Sequence, residues 1–295
     1  MNVDGNDSFE KAYELWNDFK QEVLYKNRFI LKHQVLEFLK QNAQKITIEV
    51  EETILYRARI YNEDDNFLRR YLYGEPSNNG MDTPVQKLST AKYEYDIGAK
   101  QESGLWGFNS KDSFVPPNND VIKGGRANPA FIKYLYTAED PYTALVEARP
   151  YLGSKVSVAE IKVNESLKIA DFSQRSIDKF EGFEANLIYL IMLDFSRPSD
   201  ANQKDYIPTQ YVAEFIKTLE FDGIKFNSSL NESGRNITIF NYKKCNPLGS
   251  KLYEVEDICL EASGLAPRNE KHLIHFKLEA HKEKCMRKLS LGLKR

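Results

Sequence analysis

The chain has 295 residues, of which 41% are hydrophobic, 28% charged and 12% aromatic. That excludes a disordered, collagen-like or rod-like chain and leaves enough apolar side chain for a sizeable core. Lys and Arg number 41 against 43 Asp and Glu, a formal net charge of −2, so bulk electrostatics do not make it a general nucleic-acid binder.

The charge is uneven. Lys271–Arg295 holds eight Lys or Arg and two Glu, which reads as a solvated, basic C-terminal helical tail. The longest apolar run, Leu187–Leu193, is seven residues. A membrane span takes roughly 20, so no membrane association is expected. Cys245, Cys259 and Cys285 form no paired motif, and residues 1–11 carry Asp4, Asp7 and Glu10 without an apolar run. A reducing cytoplasm is therefore the expected location.

In chain order, Phe9, Ala12, Leu15, Trp16, Phe19 and Val23 recur at helical spacing, and Phe29–Leu39 repeats the pattern. Leu55 to Ile60 alternates as a strand, with Tyr56, Ala58 and Ile60 on one face and Leu55, Arg57 and Arg59 on the other. Residues 62–100 are polar with short helical patterns, and 104–125 is loop-like. Ile132–Thr137 reads as a strand. Asp140-Pro141 then opens a helix to about Arg149, with Asp as cap and Pro in the first turn. Strands are expected at Val156–Val163 and Leu167–Phe172, and a long helix at Ile177–Phe195. A helix follows from Pro208, then short strands at Asp222–Phe226, Asn236–Asn241 and Leu252–Leu260. Strands and helices mix without regular βαβ alternation, which points to an α+β fold rather than a doubly wound sheet.

Several chemistries are disfavoured. No histidine lies between His33 and His272, so a serine or cysteine triad or a histidine zinc site lacks its ligand or base, and no metal is expected. The phosphate-cradling glycine motifs are absent. A mechanism without histidine is preferred.

Three segments stand out together. Gly124-Gly125-Arg126-Ala127-Asn128-Pro129 is followed by Tyr136 and then by Glu147 in Thr143-Ala144-Leu145-Val146-Glu147. Next comes Ile207-Pro208-Thr209-Gln210. Last is Asp222-Gly223-Ile224-Lys225-Phe226-Asn227-Ser228, with Gly234, Asn236 and Phe240 beyond it. Taken one by one, these residues have ordinary readings. On a helical wheel Glu147 sits off the Ala144, Leu145 and Ala148 face, which alone makes it solvated. Ser228 continues the inward face of Ile224 and Phe226.

In order and spacing the set resembles the RES-domain family over roughly Leu55 to Phe240. The resemblance implies an NAD⁺-consuming toxin of toxin–antitoxin systems, a glycohydrolase or phosphorylase, with an ADP-ribosyltransferase-like mixed, split sheet. Helices would surround that sheet, with an N-terminal helical extension. Residues 1–50 would be that extension, 51–260 the catalytic domain and 261–295 the tail. The resemblance makes Arg126, Glu147 and Ser228 catalytic, with Ser229 directly beside the last as the alternative. It gives Arg57, Tyr136, Asn128 and Asn236 to substrate binding. It implies NAD⁺ as substrate with no further cofactor, inorganic phosphate as an allowed co-substrate, and a neutralising antitoxin, and it leaves a homodimer open.

The chemistry suits these residue types. Nicotinamide leaves NAD⁺ as a neutral base, so no general acid is needed. The positive charge that develops on the ribose calls for a fixed carboxylate. Arginine forks match pyrophosphate oxygens, and a tyrosine ring can stack. Two rival readings stand beside this one: ADP-ribose transfer to a protein or nucleic acid, and a non-catalytic nucleic-acid binder using the basic tail.

Overall fold

The computed structural model describes residues 3–29, 32–61, 107–116, 118–197 and 203–258. The polar stretch 62–100 and the basic tail lie outside them.

Helix α1 (Val3–Tyr25) buries Ala12, Trp16, Phe19 and Val23, the stripe that the spacing predicts. Helix α2 (Gln34–Gln41) starts at His33, whose Nδ1 accepts from the Val35 amide. A single turn, α3 (Ala43–Ile46), leads to strands β1 (Thr47–Val50) and β2 (Ile54–Tyr61). Helix α4 (Ser110–Ser113) and strand β3 (Leu135–Ala138) follow, then α5 (Pro141–Glu147), β4 (Lys155–Val163) and β5 (Leu167–Phe172). A short turn, α6 (Gln174–Ile177), comes next, and the expected long helix starts later than Ile177, as α7 (Gly182–Ser196), with its first residue Gly182 at φ +52. After α8 (Ile207–Thr218) come β6 (Gly223–Asn227), β7 (Arg235–Ile239) and β8 (Cys245–Glu254). The last strand thus begins and ends before the expected Leu252–Leu260.

The fold is α+β, built on one mixed eight-stranded sheet in the order β1-β5-β6-β7-β3-β2-β4-β8. Every pair is antiparallel except β5 with β6. A parallel pair needs a long crossover, and α7 and α8 lie within it. Alternation in β5 sorts the two faces. Ala170 and Phe172 join α1, α2, α7 and α8 in one core, and Leu167 and Ile169 face the other with Leu55, Ile161 and Ile237. Residues 12–39 share the first core with Ile224 and Phe226, so the N-terminal helices are packed into the sheet. Trp16 Nε1 donates to Asp194 at 2.8 Å and ties α1 to α7.

One place in the sheet is open. β2 and β4 match over eight residues, but β2 and β3 share a single register pair, Tyr56 with Ala138. The strands part on either side of it, which leaves backbone groups that no ladder satisfies. Arg57 Nη1 donates to the Tyr136 carbonyl at 3.0 Å and takes up one of them. The split that the family resemblance implies is this narrowing within a continuous sheet.

Candidate active site

A cleft of about 410 Å³ opens where β2 and β3 part. Its wall includes Tyr56, Arg57, Tyr136, Glu147, Arg149 and Asn236, with Arg126 and Tyr206 across from the strands. That volume is in the usual range of small-molecule sites, about 300–1,000 Å³.

Glu147 is the last residue of α5. Asp140 caps the helix by accepting from the Thr143 amide at 2.8 Å, and Pro141 stands in its first turn. The first turn of α5 is pressed against the β6–β7 connection, where a Cβ on Gly234 would collide with Thr143. Asn231 Nδ2 donates to Thr143 Oγ1 at 2.7 Å, locking the same approach. Glu147 Oε1 accepts two hydrogen bonds, from Ser228 Oγ at 2.7 Å and from Asn236 Nδ2 at 2.7 Å. Oε2 accepts none among the described residues. The carboxylate is therefore fixed on one oxygen and open on the other.

Arg126 is held from three directions. Its Nη1 donates to the Phe195 carbonyl at 3.2 Å, in the last turn of α7, where carbonyls lack helical partners and favour a cation. Nη2 donates to Ser229 Oγ at 3.2 Å. The Ile207-Pro208-Thr209-Gln210 segment grips the backbone: Thr209 Oγ1 donates to the Arg126 carbonyl and Gln210 Nε2 to that of Gly125, both at 2.7 Å. The second and first segments singled out in the sequence are thus a clamp and the turn it clamps.

Tyr136 lines the cleft with its ring, and its hydroxyl faces the turn. The hydroxyl donates to Asn128 Oδ1 at 2.7 Å and accepts from the Ala127 amide at 3.0 Å. Burial pushes its pKa up to about 12, so it stays neutral. Gly125 must be glycine here, since a Cβ would lie 2.7 Å from both the Tyr136 hydroxyl and Asn128 Oδ1.

Arg57 and Arg59, which alternation leaves on an outward face, have separate fates. Arg59 donates to the carbonyls of Asp112 and Phe114. Arg57 points into the parted sheet, and its buried Nε has no partner among the described residues. Burial, reinforced by the nearby charge of Arg59, pulls the Arg57 pKa down to about 9. Among the described residues no carboxylate pairs with it.

Of the residues the sequence singles out, Arg57, Arg126, Tyr136, Glu147 and Asn236 meet around the cleft. Ser228 lies just behind it, 7% exposed, with its oxygen also accepting from the amides of Leu230 and Asn231. Asn128 lies behind Tyr136, its amide spent on the carbonyls of Lys123, Pro129 and Ile132. Ser228 and Ser229 are both engaged, one with the carboxylate and one with the guanidinium. Sequence reasoning missed Arg149, Tyr56 and Tyr206; the first was treated as the end of a helix and the others carried no motif. Among the described residues there is no group of three or more His, Cys, Asp or Glu that could hold a metal. Nor is any helix among them long and apolar enough to cross a membrane.

Comparison with known families matches residues 105–256 to the one described as RES domain. The match covers Arg126, Tyr136, Glu147, Ser228 and Asn236. It begins later than the resemblance in the sequence, so Arg57 precedes it, and it runs on through β8. No curated protein matches the sequence. Among solved structures the chain is similar to one in the crystal structure of the M.tuberculosis MbcT-MbcA toxin-antitoxin complex. The identity is 12% and the TM-score 0.37, over 76% of this chain and 93% of that one.

Proposed function

The chain belongs to the RES-domain family, and on that premise we propose that it is an NAD⁺-consuming toxin that cleaves the nicotinamide–ribose bond. The observation that carries the reading is Glu147, a carboxylate held by Ser228 and Asn236 on one oxygen and open on the other, in a cleft with Arg57 and Arg126.

The bond from ribose C1′ to the pyridinium nitrogen breaks, and its electron pair stays with nicotinamide, which leaves neutral. Positive charge spreads over C1′ and the ring oxygen. The open Oε2 of Glu147 stabilises that charge without having to reorganise, an effect commonly worth about 10² to 10³ in rate. Arg57 and Arg126 take the pyrophosphate. Tyr136 offers a ring face for stacking. Asn236 and Ser228 act through Glu147 and are positioning residues. The acceptor oxygen, from water or inorganic phosphate, then bonds to C1′; water gives ADP-ribose with release of a proton, and phosphate gives its phosphorylated form. A neutralising protein partner and action on the cytoplasmic NAD⁺ pool belong to the same proposal.

The test is to incubate the protein with labelled NAD⁺, with and without phosphate, and identify the products. Free nicotinamide with ADP-ribose or its phosphate is expected. Label on protein or nucleic acid would make the chain a transferase, and an untouched NAD⁺ pool would end the reading.

A further inference from the structure

Three guanidinium groups line the cleft against one carboxylate: Arg57, Arg126 and Arg149 against Glu147. Two are committed to the protein. Arg57 bonds to the Tyr136 carbonyl, and Arg126 bonds to the Phe195 carbonyl and Ser229. The Arg149 side chain makes no hydrogen bond or ion pair among the described residues, and the residue is exposed at the cleft mouth. Its tie among the described residues is through the backbone, where its amide donates to the Val146 carbonyl at 2.9 Å.

The backbone there is unusual as well. Arg149 follows the Ala148 cap of α5 and takes φ +50, the left-handed position after a helix where glycine is the common residue. Gly153 at φ +78 closes the same short loop, with Tyr151 and Leu152 exposed between them. An arginine rather than a glycine thus stands at a left-handed bend that lines the cleft, two residues beyond Glu147. No partner among the described residues explains the choice.

We propose that Arg149 is an anion-binding residue of this cleft, taking the oxygens of a phosphoryl group on the Glu147 side. The physical need is specific. Any anion that approaches Glu147 meets its negative charge. A cation close by in sequence, its side-chain donors unengaged among the described residues, offsets that repulsion and matches two phosphoryl oxygens with a planar fork. Arg57 occupies a strand and Arg126 a clamped turn, so neither is free to move with the incoming group. The phosphoryl group has two sources, the dinucleotide itself or a separate inorganic phosphate acting as acceptor. The inference rests on the proposed NAD⁺ reading for its choice of probes, but binding is measured without turnover.

The experiment titrates ADP-ribose and inorganic phosphate separately into the wild-type protein, Arg149→Gln and Arg149→Gly. The glycine variant removes the guanidinium and relieves the left-handed backbone, so its folding is not in question. Losing a charge-assisted bidentate contact should raise Kd about 10- to 100-fold. A rise for ADP-ribose assigns Arg149 to the dinucleotide, and a rise for phosphate assigns it to the acceptor. If both variants bind both probes as the wild type does, or the wild type binds neither, the inference is wrong. Wild-type binding of ADP-ribose that Arg149→Gln loses, together with no release of nicotinamide from NAD⁺, would overturn the proposed function and leave this inference standing.

Discussion

The Ser228 hydroxyl donates to Glu147 Oε1 across 81 positions of sequence, at 2.7 Å, while the adjacent Ser229 receives Arg126. Two neighbouring serines after β6 therefore hold the cleft's carboxylate and one of its guanidinium groups. This geometry gives the pair separable roles.

Ser228→Ala removes the donor to Glu147 and also the acceptor for the Leu230 and Asn231 amides. Orphaning a buried amide costs about 1–3 kcal/mol and a part-buried one less, so the thermal midpoint should fall modestly along with turnover. Ser229→Ala frees only one Arg126 nitrogen. It should raise KM for NAD⁺ with a smaller change in kcat and little change in stability. Steady-state kinetics with melting curves on both variants separate the two; equal effects on kcat would contradict the division.

Glu147→Gln keeps an oxygen that accepts from Ser228 and Asn236 and removes only the charge. Unfolding free energy should change by less than about 1 kcal/mol, since the hydrogen bonds survive. Nicotinamide release should fall by a factor of about 10² to 10³ or more. Chromatographic measurement of nicotinamide from variant and wild type checks this, and wild-type turnover in the variant would remove the carboxylate from the mechanism.

Gly125→Ala places a methyl 2.7 Å from the Tyr136 hydroxyl and Asn128 Oδ1 and must break their hydrogen bond. Overpacking of this kind costs about 1–3 kcal/mol. Because Arg126 is the next residue, substrate affinity should drop as well. Gly124→Ala is the control: its Cβ would be 3.4 Å from the flexible end of Gln210 and should be tolerated. Denaturant melts of the two variants give the comparison.

Much of this was legible in the sequence where the signal is local. Asp140-Pro141 fixes the start of α5, and alternation in 156–163 and 167–172 marks β4 and β5. The α+β character follows from the irregular order of elements. What local pattern cannot carry is the meaning of an outward face. Periodicity puts Glu147 off the apolar stripe, which is correct, but that face meets a cleft rather than bulk water. Periodicity alone likewise leaves Arg57 outward on β2, and the position becomes half-buried because β2 and β3 pair at a single point. Strand β1 was missed because its four residues alternate too briefly; it gains definition from pairing with β5, more than a hundred residues away. Arg149 shows how a helix end can be placed well while the direction of the residue after it stays hidden, since a left-handed turn there is a property of the assembled fold.

The buried Arg57 guanidinium gives the cleft a pH dependence of its own. Its pKa of about 9 lies well below the ordinary arginine value because burial disfavours the cation. Below pH 9 it is protonated in both the folded and the unfolded chain, and the folded state bears the full cost of burying the charge. Above about pH 9 the unfolded chain binds more protons, so this group makes folding more favourable as pH rises. A phosphoryl anion beside it restores the proton. ADP-ribose affinity should therefore be insensitive to this group up to about pH 8. Above pH 9 it should weaken by up to about tenfold per pH unit, with uptake of a proton on binding. Calorimetry in two buffers of different ionisation enthalpy reads the proton count directly. In Arg57→Gln the uptake should vanish and the affinity at pH 7 should fall about 10- to 100-fold, the loss of one charge-assisted contact. Proton uptake that persists in that variant would assign the effect to another group.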